Sequence, residues 1–278
     1  MDNIYTGYQE ISLNDSQMEQ FYSDPQKFCE EIKIKQNQYL LIKDENDSVV
    51  DQYCYQNKFL RKIKFPTIEN KYCGVIKPKN PYQYLAMDLL QDREVPVKTI
   101  RGLYGSGKDH LMFNQALSFI EQGIYQKIVY IRPNVTVANV PDIGYLKGDL
   151  DDKLGWTLAP LADKIGGHDN LNRLINNEQL ELVPLLFIRG RSFDNSIIYV
   201  TEGQNMTIEI VKLIISRAGN NSTLWINGDT HQTDKRIFEE DNGINKMIKR
   251  LAGNNLFGYV YLPITERSEV ANLANLLD

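Results

Sequence analysis

One stretch constrains this chain more than any other. Gly102-Leu103-Tyr104-Gly105-Ser106-Gly107-Lys108 fits the pattern G-x-x-x-x-G-K. Glycines in such a loop let successive backbone N–H groups turn inward toward phosphate oxygens, and the closing lysine reaches the terminal phosphates. The pattern carries that meaning only between a strand and a helix. Here the run Val97 to Arg101 reads as a strand, and a helical pattern runs from Lys108 to about Gln122. The N-terminus of that helix adds partial positive charge at the same place. The plain alternative is a glycine-rich turn without a ligand; the flanking strand and helix favour the phosphate cradle.

A Ser or Thr hydroxyl normally follows the lysine and serves a magnesium ion, but this chain has Asp109 and then His110. A carboxylate beside phosphates repels them unless a metal ion lies between. A phosphate loop also needs a second strand that ends in acidic groups, one for metal and one for water. Ser196 to Val200 is the apolar run that supplies it, followed by Thr201-Glu202-Gly203-Gln204-Asn205. Its form resembles the D-E-A-Q-N of one family, and by that resemblance Glu202 stands where the general base does and Gln204 where a γ-phosphate sensor does, with Thr201 in place of the metal-binding aspartate.

Around these two strands the chain alternates. Further strands are predicted at Lys127 to Arg132, Gln179 to Val183, Thr223 to Asn227 and Phe257 to Leu262. Helices are predicted near Leu150 to Ile165, Thr207 to Arg217, Ile244 to Leu251 and Glu266 to Leu277. Such alternation implies an α/β fold, a mostly parallel sheet with helices on both faces. Residues 1 to 75 differ. Ile4 to Leu13, Gln38 to Lys43 and Val49 to Phe59 read as strands and Ser16 to Tyr22 as a helix, which makes a small β-rich N-terminal module. The stretch Lys77-Pro78-Lys79-Asn80-Pro81 reads as the boundary, because two close prolines disfavour regular structure. Residues 76 to 278 then form the phosphate-loop domain.

In that domain the ordered motifs resemble the PhoH family of P-loop ATPases, relatives of superfamily 1 helicases. Thr201 to Asn205 is similar to the family's D-E-A-Q-N, and Asn80-Pro81-Tyr82-Gln83 to its adenine-reading glutamine element. Arg132-Pro133, Gly144 to Leu150, Pro184 to Phe193, Ser216 to Gly219, Gly228-Asp229-Thr230-His231-Gln232 and Glu266-Arg267-Ser268-Glu269 follow in family order. Residues 1 to 75 resemble the connector of PIN–PhoH fusion proteins, through Ile4 to Gln9 and Gln36 to Ile42. The nuclease domain of those fusions is not in the sequence, so ribonuclease activity is expected of a separately encoded partner, if of any.

The resemblance implies ATP hydrolysis with Mg²⁺ by an oligomeric ring such as a hexamer, coupled to movement along single-stranded RNA. It assigns Gln83 to adenine. Gly102, Tyr104, Gly105, Ser106, Gly107, Lys108, Asp109 and His110 go to the phosphates, and Glu202 to the attacking water. Asp229 and Gln232 sense nucleotide state. Arg267, with Arg189, Arg191 or Arg217 as further candidates, stabilises transition-state charge. Each has a plain competitor: Gln83 as a helix cap, Arg217 as a C-terminal dipole partner, Arg267 as a surface residue. Trp156 and the tyrosines read as core rather than as stacking platforms.

The loop and strand depart from the family together. Asp109 and Thr201 look like an exchange of hydroxyl and carboxylate around one metal ion, which keeps the local charge unchanged. The rival is a degenerate site, a nucleotide-binding switch or scaffold without turnover. A small-molecule kinase fits less well, since no second substrate pocket or basic lid is evident.

Composition bounds the rest. The net charge of −5 argues against a protein that coats nucleic acid over its whole surface. One basic run stands out: Lys58, Arg61, Lys62, Lys64, Lys71, Lys77 and Lys79, with Glu69 as its one acid. It reads either as a phosphate contact or as a solvated face. Cys29, Cys54 and Cys73 form no CxxC pair, and His110, His168 and His231 are scattered, so neither a disulfide framework nor a zinc site is indicated. The first thirty residues do not resemble a signal peptide and no apolar run approaches a membrane span, so the expectation is a cytoplasmic protein without a membrane.

Overall fold

The computed structural model describes residues 5–64, 67–133, 159–229 and 242–266. Two compact units emerge, each discontinuous in sequence. One takes residues 1–67, 77–108 and 245–278; the other takes 68–76 and 109–244.

In the first unit Tyr8–Ser12 (β1), Gln38–Lys43 (β2), Val49–Gln56 (β3) and Phe59–Lys62 (β4) form a sheet in the order β1-β2-β3-β4. β1 lies parallel to β2, and the other pairs are antiparallel. A parallel pair needs a crossover, and Asp15–Ser23 (α1) with Pro25–Ile32 (α2) provide it. α1 opens on a reciprocal capping box between Asn14 and Gln17. α2 has Pro25 in its first turn, where a missing N–H costs nothing. Phe21, fully buried, centres the core with Leu13, Cys29, Ile34, Leu40 and Ile42. Phe28 and Tyr53 meet its ring edge-on at 5.2 and 5.5 Å between centroids.

The predicted strand Val49 to Phe59 is a hairpin instead. Asn57 and Lys58 both adopt positive φ, 52° and 69°, which is the turn geometry that matches strand twist. Without a glycine at the turn, the sequence reads as continuous. The basic run also changes character here. Arg61 forks onto Asp88 at 2.9 and 2.8 Å, and Lys62 pairs with Asp51.

Of the two prolines, Pro78 lies in an irregular stretch, as read, while Pro81 begins a helix. Pro81–Gln91 (α3) starts on Asn80, whose side chain accepts from the Tyr82 and Gln83 N–H groups at 3.1 and 2.9 Å. Val97–Gly102 (β7) pairs in parallel with Phe257–Leu262 (β12). Within this unit the N-terminal sheet is bonded to these elements. Buried Asn37, at φ 58°, donates to the carbonyls of Asn254, Asn255 and Phe257 at 3.2, 2.9 and 3.0 Å. Tyr39 donates to Asp88 at 3.0 Å. A Cβ on Gly7 would sit 1.8 Å from the Tyr259 carbonyl, so that approach admits only glycine. Compactness thus groups residues 1–67 with 77–108, whereas composition changes at about residue 75; the two divisions measure different properties.

In the second unit Lys127–Ile131 (β8), Leu180–Leu182 (β9), Ser196–Val200 (β10) and Thr223–Asp229 (β11) run parallel in the order β11-β10-β8-β9. β10 and β11 are buried along their whole length, as apolar parallel strands covered on both faces must be. The helices are Lys108–Glu121 (α4), which belongs here from Asp109 on, a stretch at 159–164, His168–Asn176 (α5) and Ile208–Ile215 (α6); Gly243–Leu251 (α7) begins here, and its residues from 245 on count with the first unit. α4 is buried from Leu111 to Ile120. A short hairpin of Ile68–Asn70 (β5) and Gly74–Ile76 (β6) joins it, because Asn70 donates to the Asn114 side chain at 2.9 Å. The parallel strands alternating with helices, the glycine loop between strand and helix, and the small β-rich module are the α/β P-loop architecture that the sequence predicts. The predicted helix Leu150 to Ile165 is described only from 159, and Glu266 to Leu277 only at its first residue.

Candidate functional site

The glycine loop follows β7, as expected, and Lys108 opens α4. Gly105 and Gly107 take positive φ, 71° and 86°, the backbone alternation that points N–H groups into one concavity. Gly102 is pressed between strand and loop: a Cβ there would lie 2.5 Å from the Leu262 carbonyl and 2.9 Å from the Ser106 hydroxyl. The Lys108 ammonium curls over the loop and donates to the Gly102 and Leu103 carbonyls at 3.2 and 3.0 Å. Ser106 is fully buried, and among the described residues its hydroxyl has no hydrogen-bond partner.

Neighbouring residues of the same unit hold this loop in shape. Gln83, buried in the first turn of α3, donates to the Ser106 carbonyl at 3.0 Å and accepts from the Lys79 N–H at 3.0 Å. Gly107 faces it so closely that a Cβ would stand 2.9 Å from the Gln83 amide nitrogen. After β12, Thr265 donates to the Tyr104 carbonyl at 3.1 Å and the Glu266 N–H to the Gly105 carbonyl at 2.9 Å. Asn80 donates to the Glu266 carboxylate at 2.6 Å.

In the second unit the acidic groups gather at the ends of β10 and β11. Glu202 adopts φ 52°, a left-handed conformation that costs a non-glycine residue about 1 kcal/mol and signals a position held by its surroundings. Gln204, buried, does the holding: it donates to the Glu202 carboxylate at 2.8 Å and accepts from the Asp229 N–H at 3.0 Å. Arg132 lies 3.9 Å from the other Glu202 oxygen. Gly203 lets the turn close, since a Cβ would meet Ile244 at 2.6 Å and the Asn227 carbonyl at 2.8 Å.

Asp109, in the first turn of α4, sits in a separate group of donors. Its Oδ1 accepts from the Tyr199 hydroxyl and, at 2.8 Å, from the Asn227 amide; its Oδ2 contacts the Lys164 ammonium. Burial pushes the Lys164 ammonium down to about 8, against the pull of Glu202, while the Asp109 carboxylate touching it favours the charged form. Burial also raises the Tyr199 hydroxyl well above its ordinary value, so it stays a donor. Thr201 bonds elsewhere: its N–H donates to the Ile131 carbonyl at 3.1 Å, and its side chain hydrogen-bonds Tyr130, whose hydroxyl burial pushes up to about 12. Asp109 and Thr201 therefore answer to different partners. Among the described residues no three His, Cys, Asp or Glu side chains are grouped to hold a metal ion.

His110 is exposed, with Nδ1 3.2 Å from Asn114. Gln232 and Arg267 lie outside the described residues. Arg217 donates to the Arg191 carbonyl at 3.2 Å, and Arg191 pairs with Glu181 at 2.5 Å. Sequence reasoning missed Lys164, Tyr199 and Asn227. Nothing in their spacing announces them, because 164 and 227 reach Asp109 only through the fold.

A glycine loop built from a parallel strand into a helix, with left-handed glycines and a lysine folded over it, defines a P-loop α/β protein. Residues 75–272 match the PhoH family, described as PhoH-like protein. The chain belongs to that family. Protein PhoH2 of Bacillus subtilis (strain 168) is 31% identical over 98% of this chain and 64% of its own length. Protein PhoH2 of Thermobispora bispora is 30% identical over 71% of this chain and 46% of its own length. A PhoH-like protein of B. subtilis is 34% identical over 48% and 42%. The chain thus spans less than two thirds of the length of these relatives.

Proposed function

We propose that this chain binds ATP on the Gly102–Lys108 loop and hydrolyses it. The observation that carries the reading is the loop itself, with Gly105 and Gly107 at positive φ and Lys108 curled over the backbone. Backbone N–H groups and the start of α4 bind the phosphates, and Lys108 swings from the loop carbonyls to the terminal phosphate. Glu202 accepts the proton of the attacking water, with its carboxylate aimed by Gln204. Gln204 ties that carboxylate to the end of β11, so a shift at Asp229 is felt at Glu202. Gln83 shapes the loop through Ser106, and an adenine contact is a further role proposed for it.

Magnesium is the cofactor that the family resemblance implies. As arranged, both oxygens of Asp109 are taken by Tyr199, Asn227 and Lys164, so Asp109 does not fit an open metal ligand and no step is drawn through the ion. That same observation favours a second reading, a nucleotide switch that binds and assembles without turnover. Action on single-stranded RNA, assembly into a ring such as a hexamer, arginine supply by Arg267 and a separately encoded nuclease partner belong to the proposal through the resemblance. Among the described residues no helix is long and apolar enough to cross a membrane.

The test is ATP turnover with and without single-stranded RNA, with molecular mass measured in the same buffer. Turnover lost in Glu202→Gln with ATP binding retained supports hydrolysis. ATP binding without turnover in the native chain selects the switch, and no ATP binding overturns both.

A further inference from the structure

Asp109 stands where a phosphate loop places its metal-binding hydroxyl, yet its surroundings are those of a lysine's counter-ion. Three donors converge on its two oxygens: the Tyr199 hydroxyl, the Asn227 amide at 2.8 Å and the Lys164 ammonium. Tyr199 is fully buried and Asn227 is 3% exposed. The two are also bonded to each other at 2.8 Å, so they form a rigid floor on β10 and β11 rather than mobile surface groups. Asn227 uses its carbonyl oxygen too, accepting from the Glu202 N–H at 3.2 Å. Its orientation is therefore set, with the amide toward Asp109. Lys164 reaches in from the helical stretch at 159–164, with its side chain 20% exposed, and its own carbonyl accepts from the Cys73 thiol at 3.0 Å.

Charge decides what this arrangement tolerates. One carboxylate and one ammonium cancel. A divalent ion added beside Lys164 would place three positive charges against two negative ones, Asp109 in contact and Glu202 further off, and would set the ion against the ammonium on the same carboxylate, so the two exclude each other. The floor of Tyr199 and Asn227 serves either occupant, because both only fix the carboxylate. We propose that Lys164 is the resident cation of Asp109, and that a divalent metal binds Asp109 only by displacing it. The exchanged residue pair at positions 109 and 201 then has a different meaning: the loop carboxylate is kept for a lysine, which gates the metal. The role of that gate in turnover rests on the ATP reading above; the competition for Asp109 does not.

Mn²⁺ binding to the nucleotide-free protein tests the competition, read from the electron paramagnetic resonance signal of free Mn²⁺. Lys164→Met is expected to bind one Mn²⁺ at least tenfold more tightly than the native chain, and Lys164→Met with Asp109→Asn to lose that gain. Lys164→Gln, which keeps a polar side chain of similar length, is expected to behave like Lys164→Met and covers the case in which the methionine variant does not fold. Equal Asp109-dependent binding with and without Lys164 overturns the proposal, as does the lack of Asp109-dependent binding in the lysine variants. A measurement on the lysine itself is independent of these. Asp109→Asn should speed acetylation of Lys164 by acetic anhydride several-fold, as followed by mass spectrometry, and an unchanged rate overturns the pairing. Binding of a fluorescent ATP analogue without metal is measured alongside. Its failure removes the function reading but leaves the Mn²⁺ comparison standing.

Discussion

Gln83 offers the sharpest test of how the phosphate loop is held. Its amide is buried and makes two bonds, to the Ser106 carbonyl and from the Lys79 N–H, both at 3.0 Å. Gln83→Met keeps the side chain's length and volume while removing both. Lys79 is exposed, so its N–H finds water. Ser106 is fully buried, so its carbonyl is left unpaired, and a buried group that loses its partner costs about 1–3 kcal/mol. If the loop absorbs that cost by abandoning its nucleotide-binding shape, ATP affinity falls by roughly 5- to 150-fold. If the fold absorbs it instead, the melting temperature drops by about 2–4 °C per kcal/mol for a chain of this size. Calorimetric titration with ATP and a thermal melt read the two shares. Gly107→Ala should act through the same contact, because its Cβ would sit 2.9 Å from the Gln83 amide nitrogen. The double variant should therefore lose less than the sum of the singles. Unchanged affinity together with an unchanged melt in Gln83→Met refutes the reasoning.

Three further outcomes follow from named contacts. Burial pushes Lys98 down to about 7, while the unfolded chain holds that proton to about pH 10. Between those values the unfolded state binds more protons, so native stability rises with pH; relative to Lys98→Met it should climb by roughly 1 kcal/mol per pH unit, and a flat difference in urea melts would refute it. Asn37→Asp should destabilise by more than about 2 kcal/mol, because it sets a carboxylate against the carbonyls of Asn254, Asn255 and Phe257, whereas a loss below about 1 kcal/mol in a urea melt counts against that clamp. Because Asp109 and Thr201 have separate partners, the losses of Mg²⁺-dependent ATP turnover in Asp109→Thr and Thr201→Asp should add in the double variant; recovery of turnover in the double variant overturns that separation.

The sequence was most informative where chemistry is local. The loop needs its glycines within a few residues of its lysine, so Gly102 to Lys108 could be read directly, and so could the apolar runs of β8, β10 and β12. A parallel strand buried on both faces is mostly apolar, and that pattern survives without knowledge of its neighbours. Local signals failed where they had two meanings. Pro81 looked like a breaker and begins α3, since proline suits the first helical turn. Asn57-Lys58 carried no glycine, so the turn between β3 and β4 passed as strand.

What the linear order determined by itself is the class of protein: a phosphate loop between strand and helix, an acidic strand end, and the ordered motifs of one family. What only the tertiary structure decided is how those groups are occupied. Gln83 braces the loop, Gln204 aims Glu202, and Asp109 is met by residues 55 to 118 positions away in the chain: Lys164, Tyr199 and Asn227. A carboxylate's role depends on which donors surround it within a few ångströms, and that proximity is created by packing strands and helices against one another, not by spacing along the chain.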